Sequence, residues 1–157
     1  MTGSRVLGSG EMRGVLLPVG SRFLLLPNSA MAEVIGYREP KADATAPGWW
    51  LGWIEWRGLR VPVVSFEQAM GRQEVERGSQ RAHIAILNTL NGNAALPYIG
   101  VYTLGISRLT RITADNLTED TSGTLASPLA LEAIRVNEQP AWIPDMDKLE
   151  QMVLAAA

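Results

Sequence analysis

The stretch "PGWWLGWIEWRGLRVPVVSF" (47–66) holds four of the five tryptophans of this 157-residue chain. Its first part is rich in aromatic residues, its second part is rich in valine, and Arg57-Gly58 separates the two. Two β-prone runs joined by a short turn that contains glycine are typical of a β-hairpin. The sequence therefore predicts a hairpin with Arg57 and Gly58 at its tip.

The first arm of this hairpin carries tryptophans on both faces, because successive side chains of a strand point to opposite sides. One face holds Trp50, Gly52, Ile54 and Trp56, and the other holds Leu51, Trp53, Glu55 and Arg57. One or two buried tryptophans would serve a core of this size, since each buries about 150–250 Å². Two interpretations stay open: core filling alone, or core filling together with a protein-docking surface, where Trp and Arg are enriched.

Composition narrows the class of protein. Hydrophobic residues make up 46% of the chain and charged residues 19%, as in an ordinary globular domain. The net charge is −2 and no basic run exceeds a pair, which argues against nucleic-acid binding and anionic membrane surfaces. Cysteine is absent, no apolar run reaches 18 residues, and no signal peptide is evident. We expect a cytoplasmic protein without membrane insertion.

The rest of the chain reads as short strands and small helices. We expect a flexible N-terminus (1–13), a hairpin around Gly20, and a helical turn in 28–36 with Met31, Val34 and Ile35 on one side. Further expected elements are a short helix (65–71), a loop (72–81), strands (82–90, 94–105, 106–112) with an Asn91-Gly92 turn, a loop (114–124), a hairpin (129–144) around Asn137-Glu138, and a closing helix with Leu149, Met152 and Val153 inward.

These elements predict a mainly β fold in which two groups of strands, each followed by a helix, lie one after the other. This is a duplication of architecture without an evident sequence repeat. We expect a single domain (14–157) of two subdomains with a boundary near 72–81. The second subdomain would span about 82–144, and the C-terminal segment would complete the first.

Residues that would support enzyme chemistry are scarce. There is no cysteine nucleophile, and the single histidine, His83, alternates into a strand pattern, which favours a strand residue over a catalytic base. Neither Lys41 nor Lys148 follows a glycine-rich phosphate loop. Asp145 and Asp147 stand at a helix start, where they are better explained as caps than as metal ligands. We predict no catalytic site, no cofactor and no metal.

Here the sequence resembles a known family. "AEVIG", a proline-bearing loop and then "WWLGWIEWRGLRVPVVSFEQAMG" (49–71) are similar to the CheW-like family, which has an Arg-Gly turn, a Pro-Val strand and a short helix in this order. In the second half, "YIGVYTLGISRLTRIT" (98–113) and "PAWIPDMDKLEQM" (140–152) resemble the later segments of the family. Where the family has Asn-Leu before Arg-Gly, this chain has Glu55-Trp56. The chain is thus similar to divergent CheW-type adaptors of pilus-linked chemosensory systems, the ChpC or PilI kind.

The resemblance implies two side-by-side SH3-like five-stranded β-barrels and a non-enzymatic adaptor for chemotaxis or twitching motility. The implied partners are the regulatory domain of a CheA-type histidine kinase and the cytoplasmic tip of a methyl-accepting chemoreceptor, with other CheW-like adaptors as a further class. The implied location is the cytoplasm, at membrane-associated receptor arrays.

The resemblance also implies two contact regions. Met31, Val34 and Ile35 would line a receptor groove together with Ile106 and Leu109, in a helix-in-groove mode. Arg57 and Gly58 occupy the Arg-Gly turn of the family, and Trp53 and Trp56 of the same hairpin would contribute to a partner surface. The kinase-facing edge would lie near the hairpin tips of the first barrel. A rival interpretation is a small β-barrel enzyme or ligand-binding module that uses the tryptophan cluster as a pocket.

Overall fold

The structure is a computed structural model that describes residues 12–20, 22–42, 45–71, 80–90, 94–120 and 129–156. A single-turn 3-10 helix spans Asn28–Ala30, and the α-helices are α1 (Phe66–Ala69) and α2 (Met146–Ala156). The strands are β1 (Met12–Pro18), β2 (Phe23–Pro27), β3 (Met31–Gly36), β4 (Trp50–Trp56), β5 (Leu59–Val64), β6 (His83–Asn88), β7 (Tyr98–Thr103), β8 (Arg108–Ile112), β9 (Leu117–Glu119), β10 (Ala130–Val136) and β11 (Gln139–Pro144). The mainly β prediction is confirmed.

The strands form two sheets. One has six strands in the order β8-β1-β2-β11-β10-β9, and the other has five in the order β3-β6-β7-β5-β4. All neighbours are antiparallel except the pairs β2–β11 and β5–β7, which are parallel. Apart from β9, the two sheets have the same arrangement. An edge strand (β8 or β3) is followed by an antiparallel pair (β1–β2 or β6–β7), whose second strand lies parallel to the next strand (β11 or β5), and that strand forms a second antiparallel pair (β11–β10 or β5–β4).

Each sheet is assembled from both halves of the chain. The chain makes β1 and β2 in the six-stranded sheet and crosses to the other sheet for β3, β4 and β5. It then adds β6 and β7 to the five-stranded sheet before it returns for β8 to β11. The division expected from the sequence, with 82–144 as one subdomain, therefore does not match the sheets. Hairpin patterns specify local pairing but not which hairpins share a sheet.

The second hairpin of each half has the same construction. In β4–β5, Arg57 and Gly58 form a two-residue turn with φ of 50° and 76°. In β10–β11, Asn137 and Glu138 form the equivalent turn with φ of 49° and 70°. Two consecutive positive φ values are those of a type I′ turn, whose twist matches that of antiparallel strands. Both predicted hairpins are confirmed.

A capped helix follows each of these hairpins. The Ser65 side chain accepts a hydrogen bond from the backbone N–H of Gln68 at 3.2 Å at the start of α1. Asp145 Oδ1 accepts one from the backbone N–H of Lys148 at 3.0 Å at the start of α2. These contacts satisfy backbone donors that a helix start leaves unpaired. The capping interpretation of Asp145 is confirmed.

One apolar core lies between the two sheets and holds them together. Trp142 and Leu24 of the six-stranded sheet meet Val64 and Leu87 of the five-stranded sheet in a single buried cluster. Each sheet also has a smaller core of its own. The core of the five-stranded sheet contains Ile84 and Trp56, and that of the six-stranded sheet contains Leu16, Ile112, Ile134, Val136 and Ala141. The two sheets thus form barrel-like layers side by side that share one core.

Helix α2 seals this shared core. Leu149 and Val153 are fully buried and Met152 packs against the cluster, as the amphipathic pattern predicted. Glu150, also buried, accepts a hydrogen bond from the backbone N–H of Leu90 at 2.7 Å, just after β6. The last helix therefore ties the C-terminus to the five-stranded sheet.

Three expectations are wrong in detail. Of the expected helical turn (28–36), only 28–30 is helical, and Met31 begins a strand. A bulge before Glu33 places Met31 and Val34 on the same side of this strand, a spacing that resembles that of a helix. The expected loop 114–124 contains β9, which pairs with β10. Met12 and Arg13, expected to be frayed, pair with β8. The predicted loop 72–81 lies largely outside the described residues, as does the predicted Asn91-Gly92 turn.

A bulge near the start of β4 depends on Gly52. Its φ is 141°, and a Cβ at this position would collide with the backbone carbonyl of Lys41, which pairs with β4 at Trp53. Only glycine combines this backbone angle with so close an approach.

Changing Gly52→Ala should lower the free energy of unfolding by about 2–3 kcal/mol, because strain and a backbone clash add. Gly36→Ala is the matched control, since a Cβ on this β3 glycine meets nothing within 4 Å. It should change stability by less than about 1 kcal/mol. Urea unfolding measures both, and equal stabilities of the two variants would contradict the role of Gly52.

Candidate functional site

The β4–β5 hairpin ends in a fixed cluster built on one carboxylate. Trp56 is only 5% exposed, and its Nε1–H donates to Oε1 of Glu33 on β3 at 2.9 Å. Nη2 of Arg57 donates to the same oxygen at 3.2 Å. The Arg57 guanidinium also lies over the Trp56 ring, 4.7 Å from its centroid. Glu33 therefore orients a buried indole and the neighbouring arginine at once. We call Glu33, Trp56, Arg57 and Gly58 the tip cluster.

The Arg57 side chain is exposed to solvent although Glu33 and Trp56 hold it in place. Its side chain is 69% exposed and that of Glu33 is 41% exposed. An ion pair this exposed contributes about 0–1 kcal/mol to stability. Its main effect is to limit the conformations of Arg57. Leu59, on the other side of the turn, is an exposed apolar side chain. The tip thus presents an oriented guanidinium beside an apolar group.

The same contacts close the five-stranded sheet. Its two edge strands, β3 and β4, are bridged through side chains: Trp56 reaches Glu33, and Arg38 Nη1 donates to the backbone carbonyl of Glu55 at 2.9 Å. Tyr98 from β7 packs against Trp56 in a T-shaped arrangement, with ring centroids 4.8 Å apart. The tip cluster is therefore part of the barrel's closure, so its position follows from the fold.

The bulge at Gly52 changes the predicted distribution of tryptophans. Trp50 lies in the core shared by the sheets, whereas Ile54 and Trp56 lie in the core of the five-stranded sheet. The prediction that these three share a face is wrong, because a bulge inserts one residue into the alternation. Trp53 lies on the same side as Trp50, and the centroids of the two rings are 5.2 Å apart. Trp53 is nevertheless only half-buried. Tryptophans do lie on both faces.

A cleft of about 550 Å³ opens beside Trp53. Its wall is the segment after β3, which pairs with β4: the N–H of Lys41 donates to the Trp53 carbonyl at 2.8 Å, and the N–H of Trp53 donates back at 3.0 Å. The Arg60 guanidinium covers the Trp53 ring at 4.4 Å from its centroid. The cleft is lined by Arg38, Glu39, Lys41, Trp53, Ile54, Glu55 and Arg60. We call it the Trp53 cleft.

The five residues expected to line a receptor groove are not all on one surface. Met31 and Val34 pack against the shared core, whereas Ile35 packs against the core of the five-stranded sheet. The reason is that 31–36 is a strand, so Val34 and Ile35 point to opposite sides. Ile106 and Leu109 are 63% and 59% exposed.

Ile106 and Leu109 belong to a second region, at the edge strand β8. Leu109 lies opposite Val15 of β1 and lines a small cleft of about 160 Å³ near the Asn137 turn. Arg108 next to it donates to Gln139 Oε1 and stacks over Phe23, 5.1 Å from the ring centroid. This edge thus carries two large exposed apolar side chains within four residues.

Glu33 is the residue that the sequence interpretation missed. The sequence predicts it only as part of a helical turn, whereas the structure makes it the acceptor that organises the tip cluster. A single carboxylate inside the apolar run "AEVIG" was the available signal, because such a group needs a partner if it is even partly buried.

Within the described ranges, no group of three or more His, Cys, Asp or Glu side chains is arranged to hold a metal ion. No helix there is long and apolar enough to span a membrane. His83, the first residue of β6, places its Nδ1 2.8 Å from the Arg81 carbonyl oxygen.

Comparison with known proteins agrees with the fold. The sequence profile of the CheW-like domain matches residues 13–153. Among solved structures, the scaffolding protein TtCheW from Thermoanaerobacter tengcongensis superposes with a TM-score of 0.70 at 15% sequence identity, covering 87% of this chain and 90% of that one. No functionally curated protein shows significant sequence similarity to this chain. The two sheets correspond to the two SH3-like barrels of that fold, with β9 as a sixth strand in one of them. Because the family profile spans nearly the whole chain, the protein belongs to the CheW-like domain family.

Proposed function

We propose that this protein is a non-enzymatic adaptor that couples chemoreceptors to a CheA-type histidine kinase in a chemosensory array, including arrays linked to pilus motility. Family membership and the similar fold of a protein described as a scaffold support an adaptor. The single observation that carries the proposal is the tip cluster. In it, a buried tryptophan and a carboxylate together hold one exposed arginine in place.

The physical case for a docking surface at the tip is pre-organisation. A free arginine side chain loses about 0.5–1.5 kcal/mol of conformational freedom when a partner immobilises it. Arg57 has given up part of that freedom already, because it stacks on Trp56 and bonds Glu33. Its remaining N–H groups can reach a carboxylate or a backbone carbonyl of the kinase regulatory domain.

The receptor contact is the β8 edge, with Ile106 and Leu109 as its apolar centre. An amphipathic helix needs an exposed apolar surface to receive its own apolar face. Met31 and Val34 contribute from the margin of the shared core, where they are partly buried. Ile35 is left out of the groove, since its side chain packs on the other side of β3.

Arg57→Ala should weaken binding of the CheA-type regulatory domain by about tenfold, because arginines at pre-organised positions act as hot spots. Isothermal titration calorimetry measures the affinity, and thermal unfolding checks that the fold is retained. Arg13→Ala is the matched control: it removes an exposed arginine from β1 of the other sheet and should leave the affinity unchanged. Equal affinities of wild type and Arg57→Ala would contradict the kinase contact at the tip.

Ile106→Ser combined with Leu109→Ser should weaken binding of a receptor cytoplasmic tip by about tenfold or more, through loss of apolar contact area. Both side chains are exposed, so stability should be unchanged. Leu131→Ser is the control, because Leu131 is similarly exposed (54%) but lies on β10. A loss of receptor binding in the control alone would place the groove elsewhere.

A further inference from the structure

The Trp53 cleft combines three cations that pair with no anion in the described part of the chain. Among the described residues, neither Arg38 nor Lys41 nor Arg60 takes part in an ion pair. Arg38 uses Nη1 on the Glu55 carbonyl, and Arg60 lies over Trp53. All three line the same cleft.

Neither acidic residue of the cleft forms an ion pair with these cations. Glu55 lies directly across from Arg60 in the strand register, a position that favours an ion pair between opposite charges. The Arg60 guanidinium is placed over the indole of Trp53 instead. Glu39 accepts a hydrogen bond from the hydroxyl of Tyr37 at 3.0 Å. The cations therefore remain available to an incoming anion.

The lining of the cleft favours a partner that brings charged groups. Of the seven described residues that line it, five are charged: Arg38, Glu39, Lys41, Glu55 and Arg60. A half-buried tryptophan flanked by arginines has the composition of a protein–protein contact.

The backbone of β4 is not open to an added strand here. Both polar groups of Trp53 pair with Lys41, and the Glu55 carbonyl accepts from Arg38. A peptide in the cleft must therefore be recognised through side chains. With three cations around one indole, those side chains are carboxylates.

We propose that the Trp53 cleft binds an acidic, extended segment of a partner protein, with carboxylates on Lys41 and Arg60 and apolar contact to Trp53. This site is distinct from the tip cluster, because none of the tip cluster's four residues lines the cleft. It also gives the half-buried Trp53 a function: buried Trp56 supports the tip, and Trp53 forms the floor of the cleft.

The test uses the full chain and an acetylated, amidated Glu-Asp-Glu-Asp-Glu peptide, with Gln-Asn-Gln-Asn-Gln as the neutral probe and inorganic phosphate as the small anion. Two-dimensional NMR follows the indole N–H of Trp53, assigned by Trp53→Phe. The acidic peptide should shift this resonance saturably, and the affinity should fall as salt is raised. Lys41→Ala and Arg60→Ala should each weaken binding about two- to fivefold. Arg60→Lys should restore part of the loss, since it keeps the charge.

Arg57→Ala is the control and should leave peptide binding unchanged, which separates this site from the tip. Amide spectra establish that each variant is folded. Three results would overturn the proposal: no saturable shift with the acidic peptide, equal shifts with the neutral peptide, or the same Trp53 shift with inorganic phosphate at equal concentration. The last result would identify a site for small anions.

Discussion

The structure depends on one constraint: neither half of the chain can complete a sheet alone. The hairpin β1–β2 needs β8 and β11 as neighbours, and the hairpin β6–β7 needs β3 and β5. A sheet left with bare edges exposes unpaired backbone groups and one face of apolar side chains. The chain resolves both problems at once, because the exchange of strands brings the two sheets against a single core that contains Trp142, Leu24, Val64 and Leu87.

The same constraint fixes the positions of the two proposed contact surfaces. The tip cluster stands where β3 and β4 meet, and the exposed apolar side chains stand on and just before β8, which lies at the edge of the other sheet. Both regions are attached to strands that cross between the halves, so each is fixed by the shared core. For the proposed coupling of a kinase domain to a receptor helix, this arrangement keeps the two surfaces at a constant separation. Two barrels with independent cores would turn about a linker instead.

Much of this could be predicted from sequence, because local chemistry specifies local structure. Arg57-Gly58 and Asn137-Glu138 mark turns, and Asp145 marks a cap. The features that the sequence does not predict depend on contacts between distant parts of the chain. The bulge at Gly52 is set by the approach of Lys41, which no pattern within 50–56 reveals. Met31 and Val34 share a side because β3 is bulged between Met31 and Glu33, whereas Ile35 points to the other side. The bond between Glu33 and Trp56 joins residues 23 positions apart, and only the closed sheet brings them together. The exchange of strands likewise depends on tertiary packing.

Native-state hydrogen exchange tests the shared core most directly. The amides to compare are those of Leu17 and Leu24 in the six-stranded sheet with those of Ala85 and Val101 in the five-stranded sheet, all of them fully buried. If the strands are exchanged around one core, both sets should exchange only through global unfolding, with the same free energy of opening and the same dependence on denaturant. A lower opening free energy for one sheet, while the other stays protected, would show two independent barrels and contradict the account.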